Sequence, residues 1–193
     1  MGFLAELWLP ILVSSVLVFI ASALAWMVSP HHKQDWKGLP NEDGFLEALR
    51  ANNTPAGQYI FPFCGDHKAT AEAMKDPEKK KKWEAGPHGS LYLRAAPPNM
   101  GRNLGLMFAF YIVVGVFVAY LGNLSLGEDP EYLKVFQVTG CAAVMAYCLG
   151  FIPGAIWFGR TLRSTVMDLI DGVVYGLLTA GTFGWLWPSA AGA

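Results

Sequence analysis

The chain has 193 residues, 53% of them hydrophobic and only 15% charged, against about 25% charged in an ordinary soluble domain. Charge is nearly absent from four long segments and dense in one, which argues against a single water-soluble core. The net charge of −1, with no basic stripe interleaved with aromatics, excludes nucleic acid as an expected partner.

Residues 7–28, LWLPILVSSVLVFIASALAWMV, carry no charge. About 20 apolar residues cross a bilayer core as a helix, so this run predicts the first span. Pro10 falls in the first turn of that run, where a missing N–H costs little. Trp8 and Trp26 lie near its opposite ends, as interfacial aromatics do. The N-terminus, MGFLAE, has no basic residue and no small-x-small cleavage pattern follows, so a signal peptide is not expected.

The span gives way to VSPHHKQDWKGLPNED, residues 28–43. Pro30 stops the helix, and His31, His32, Lys33 and Trp36 suit the headgroup zone. His31, His32 and Asp35 are also the metal candidates, because imidazole and carboxylate bind zinc and iron. Such a site needs three or four converging donors, and adjacent imidazoles rarely both reach one ion. His67, His88, Glu42 and Asp43 complete a sphere only if the chain folds back, and no HxxxH, HExxH or CxxC spacing demands it. The expectation is therefore a polar helix collar without metal or other cofactor.

Further along, Asn41 followed by Glu42 and Asp43 reads as an N-cap with acids at the positive end of a helix dipole. Phe45, Leu46 and Leu49 give that helix one apolar side, and Asn52–Asn53–Thr54–Pro55 ends it. QYIFPF (58–63) reads as extended, residues 67–85 as helical with a break near Pro77, and SLYLRA (90–95) as a strand able to pair with residues 58–61. A polar segment of roughly 70 residues with few aliphatics makes only a thin core of its own. The run Lys79, Lys80, Lys81 and Lys82, followed by Trp83, is a candidate lipid-facing basic patch, since each basic residue near an anionic leaflet contributes about 1 kcal/mol. A solvated helix face is the plainer reading of the same run.

Three more apolar runs follow: 104–122, about 135–158 and about 166–187. Of the 14 Lys and Arg residues, 11 lie between the first and second spans, and Arg160 and Arg163 follow the third; only Lys134 lies on the other side. By the positive-inside rule, residues 29–102 face the cytoplasm and both termini the periplasm.

Asp168 and Asp171 enter the first two turns of the fourth span, three residues apart and so on one face. Ionisable residues within a span point to function by default. Arg160 and Arg163 lie close enough to pair with them, so a structural tie at the turn between spans three and four is favoured over proton or ion handling. Small residues recur every fourth position at Gly172, Gly176, Ala180 and Gly184 in the fourth span, and at Ala142, Ala146, Gly150 and Gly154 in the third. Such stripes let helix backbones approach closely, which predicts a tight hairpin of these two spans. Cys141 and Cys148 are seven apart, about 10 Å along a helix and too far for a disulfide; both read as small apolar filler.

The order of an apolar first span, PHHKQDWKGLPNED, EALR, PAGQYIFP and finally FGWLWP resembles a group of small, uncharacterised bacterial integral-membrane proteins. That resemblance implies four spans in a bacterial inner membrane and carries over no activity and no functional residues. The residues themselves predict an all-α membrane protein: a first span within 1–28, a small mixed module at 29–102, and spans two to four within 103–193. Without a catalytic motif or ligand set, the leading expectation is a non-catalytic accessory or scaffold subunit of a larger inner-membrane complex, respiratory or photosynthetic in type, with lipid and other membrane subunits as partners. The alternatives are a small-solute transporter or channel acting as an oligomer, and a metal-dependent membrane enzyme using His31, His32 and nearby carboxylates.

Overall fold

A computed structural model describes residues 2–188. Among these residues, four helices are long and apolar enough to cross a membrane: Gly2–Val28, Met100–Ser125, Tyr132–Trp157 and Leu162–Leu186. The chain is an all-α membrane protein in its architecture, with one two-stranded sheet.

Helix α1 (Gly2–Ala23) buries Leu7, Ile11, Ser14, Ser15 and Val18, the three- and four-residue spacing of a single face. It starts five residues before the uncharged run, so Pro10 lies inside the helix rather than in its first turn. The proline removes one N–H from the ladder, an interruption that membrane helices tolerate. The last turn of the span, Leu24–Val28, widens into a π-helix closed by the Ser29 N–H on the Leu24 carbonyl at 2.9 Å.

Three short helices and two strands occupy the polar segment: α2 (Glu42–Ala51), β1 (Gly57–Phe61), α3 (His67–Ala73), α4 (Pro77–Ala85) and β2 (Gly89–Leu93), with α3 and α4 separated just before Pro77. The strands pair antiparallel, with Gly57 opposite Leu93 and Phe61 opposite Gly89. Capping carries much of this order. The side chains of Asn41, Asp66 and Asp76 each accept an N–H from the first turn of the helix that follows. No residue between 38 and 98 is buried. Lys79 to Lys82 are exposed on α4, where Lys80 lies 3.8 Å from Glu84.

The compact unit formed by this segment is Gly38–Pro98, narrower than the 29–102 expected. Residues 29–37 belong instead to the unit that holds the spans, because their side chains are bonded to the fourth span.

The remaining spans are α5 (Met100–Ser125), capped by Asn99; α6 (Tyr132–Cys148), which continues after a break as α7 (Ile152–Trp157); and α8 (Leu162–Leu186), capped by Thr161. Helix α8 pairs extensively with α6, and α1 packs on both α5 and α8. Leu7, Ile11, Val114, Val118, Ala143 and Phe183 are central to the core. The buried hydroxyls of Ser15, Thr139, Thr179 and Thr182 each donate to the carbonyl four residues earlier, which satisfies them within their own helices.

Gly172, Gly176, Ala180 and Gly184 face α6. A Cβ at Gly172 would lie 2.7 Å from Cys148 Sγ, and one at Gly176 would overlap Val144. The matching stripe expected on the third span is only partly used. Ala142 is buried, but Ala146 and Gly150 are exposed, and nothing lies within 4 Å of a Cβ built at Gly150 or Gly154. The helix breaks at Leu149–Phe151, so four-residue spacing no longer keeps one face across Gly150. The face turned to α8 is built from Tyr132, Gly140, Val144 and Cys148 instead.

Candidate functional site

The π-helical turn and the proline after it set the site's geometry. Ser29 is extended, and Pro30 starts a single 3₁₀ turn, Pro30–His32. The chain turns once more beyond it, closed by the Asp35 N–H on the His32 carbonyl at 3.1 Å. His32 and Asp35 therefore meet, with His32 Nδ1 2.6 Å from Asp35 Oδ2. Trp26, from the π turn, lies flat on the His32 ring at 4.0 Å and 8°.

Adjacent imidazoles rarely both reach one ion. Both instead reach one carboxylate on α8: His31 Nε2 lies 3.0 Å from Asp171 Oδ1, and His32 Nε2 lies 2.9 Å from Asp171 Oδ2. The far nitrogen of His31 is 2.5 Å from the Ser29 hydroxyl. Arg163, the second residue of α8, closes the ring. Its Nη1 donates to Asp35 Oδ1 at 2.5 Å, and its Nη2 to the His31 carbonyl at 2.6 Å. Tyr175 OH donates to Asp171 over a longer 3.4 Å.

These groups are largely withdrawn from solvent. The side chains of His32 and Asp35 are 3% and 2% exposed, that of Asp171 10%, and that of His31 28%. Burial pulls the His32 imidazole down, but hydrogen bonds to Asp35 and Asp171, with their charges, outweigh it and hold the ring above its ordinary pKa. The His32 hydrogen bond, with Arg163 and Arg160 nearby, outweighs desolvation and keeps Asp35 below the usual carboxylate range. Two carboxylates, Asp35 and Asp171, thus share the two imidazoles and the Arg163 guanidinium. Every buried side-chain polar atom among the described residues has a partner.

Beside Asp171 lies a cavity of about 180 Å³, lined by Trp26, Tyr111, Tyr147, Asp168 and Tyr175 among others. The three tyrosines form a triangle of edge-to-face contacts, with ring centroids 5.9–6.4 Å apart. Comparison with protein-family models, curated proteins and solved structures finds no match. The reading of this site therefore rests on its own chemistry.

Among the described residues, His31, His32 and Asp171 form a donor set whose ligand atoms lie within 4.8 Å of one another. Asp35, named with the two histidines from the sequence, is not a third donor of that set; it holds the opposite nitrogen of His32. Asp168 pairs with Arg160 at 2.5 Å, the tie expected at the turn between spans three and four. Arg163 does not pair with Asp168 or Asp171 but crosses to Asp35. His67 and His88 belong to the separate unit of residues 38–98. Ser29 and Tyr175 escaped the sequence reading, and Trp26 stood out only as an interfacial aromatic. Nothing in an isolated tryptophan, serine or tyrosine in or next to a span marks it as part of a site.

Proposed function

We propose that the protein is a non-catalytic accessory or scaffold subunit of a larger assembly in a bacterial inner membrane, with residues 29–102 cytoplasmic and both termini periplasmic. The observation that carries this reading is the closed polar cluster at the junction of spans one and four. Its charges are spent on one another, across 128 to 140 residues of sequence, and fix α8 to the turn after α1. A bundle locked in this way presents rigid outer faces. Those faces are apolar and rich in large side chains: Trp157, Leu162 and Trp185 are each about four-fifths exposed, and surfaces of this kind suit both lipid and neighbouring subunits. The lysine and arginine bias, thirteen on one side and one on the other, supports the orientation.

Extraction of the native membrane in mild detergent, followed by affinity capture and mass spectrometry, tests the proposal. A membrane protein that co-purifies in constant ratio is expected. A chain that runs alone at native abundance contradicts it. A second reading, transport of a small solute by an oligomer, is favoured by the cavity where Asp168 and Asp171 meet the tyrosines. It requires a flux in reconstituted vesicles that Asp171→Asn abolishes.

A further inference from the structure

We propose that His31, His32 and Asp171 form a binding site for a divalent transition ion of the Zn²⁺ and Co²⁺ type. This goes beyond a scaffold role and does not depend on it.

Both imidazoles turn the same atom, Nε2, toward the Asp171 carboxylate, at 2.9 and 3.0 Å. An ion about 2.1 Å from each donor needs tetrahedral neighbours about 3.4 Å apart. The donor atoms, all within 4.8 Å of one another, bracket that spacing. The backs of both rings are held as metal-bound histidines usually are, by a hydrogen-bonding oxygen on the other nitrogen. Asp35 takes the Nδ1–H of His32, and Ser29 Oγ meets Nδ1 of His31. Arg163 then fixes Asp35 and the backbone of His31 together. Such orientation is more than a salt bridge requires. It leaves Nε2 of each ring as the atom that faces Asp171.

The donor chemistry selects the ion. Two imidazoles and one carboxylate suit Zn²⁺, Co²⁺ or Fe²⁺, whereas Mg²⁺ and Ca²⁺ call for oxygen ligands and Cu⁺ for sulfur. Three protein donors leave one position of a tetrahedron open. Asp171 also lines the 180 Å³ cavity, which gives that fourth position room for water or a small ligand.

The test uses the full chain, purified in detergent micelles and stripped with a chelator. Titration with Co²⁺, read by its visible d–d absorption, and with Zn²⁺, read by elemental analysis, is expected to saturate at about one ion per chain. Asp171→Asn and His31→Ala should each abolish saturation, and Asp35→Asn should weaken it about 10–100-fold. The double variant His67→Ala/His88→Ala should bind as the wild type does. Helicity and elution volume identify any variant that fails to fold. A readout on the unmodified chain keeps the proposal testable in that event: Zn²⁺ should protect His31, the more exposed of the two rings, from diethyl pyrocarbonate. Absence of saturable binding, binding that follows His67 and His88, or no protection of His31 would overturn the proposal.

Discussion

The spans and the segment from residue 38 to 98 use charge in opposite ways. Between 38 and 98 the ion pairs are exposed and local, Lys75 with Glu72 and Lys80 with Glu84, and no residue is buried. Order there comes from caps, which reach a few residues, and from the pairing of β1 with β2. In the bundle the charges of Asp35, Arg163 and Asp171 join elements more than a hundred residues apart, and the groups they hold are mostly buried. The contrast shows why ion pairs of similar length carry unequal weight. An exposed pair contributes about 0–1 kcal/mol, while loss of one partner from a buried set leaves an uncompensated charge.

That contrast can be broken from the bundle side first. Asp171→Ala removes the acceptor that both histidines share, and it should destabilise the full chain by about 3 kcal/mol, read as a large fall in Tm in detergent. An unchanged Tm would place Asp171 among the weak surface pairs. Gly176→Leu should cost about 1–3 kcal/mol, because the new side chain meets Val144 and the α6 backbone, whose nitrogen is 3.1 Å from the site of the new Cβ. Gly154→Ala should leave Tm unchanged, since nothing lies within 4 Å there. Equal effects at the two glycines would contradict the packing described.

Effects between residues 38 and 98 should be smaller and confined. Asp76 accepts the N–H groups of Glu78 and Lys79 at the head of α4. Asp76→Ala should therefore speed amide hydrogen exchange across residues 77–85, at a cost of about 1 kcal/mol, and leave the bundle's Tm alone. Lys80→Ala should change neither quantity, because its partner is exposed and 3.8 Å away.

Much of the fold was legible. Four uncharged or nearly uncharged runs announce the spans, and Asn41 and Pro77 mark real helix boundaries. The third span's small-residue stripe misled because four-residue spacing assumes an unbroken helix, and this one breaks at Leu149–Phe151. The candidate site was legible only in halves. His31, His32 and Asp35 stand out after span one, and Asp171 stands out within span four, but no local pattern links residues about 140 apart. Topology offers the missing hint: in a four-span chain, the end of the first helix and the start of the fourth lie on the same side of the membrane. What it could not supply is the rotation of α8, which packing against α6 and α1 sets.

A double-mutant cycle on His32 and Asp171 probes the link between spans one and four most directly. With His32→Ala, Asp171→Ala and both together measured by unfolding in detergent, a coupling of about 1–3 kcal/mol is expected. Strictly additive losses would mean that the two side chains do not meet, and the closed cluster would have to be abandoned.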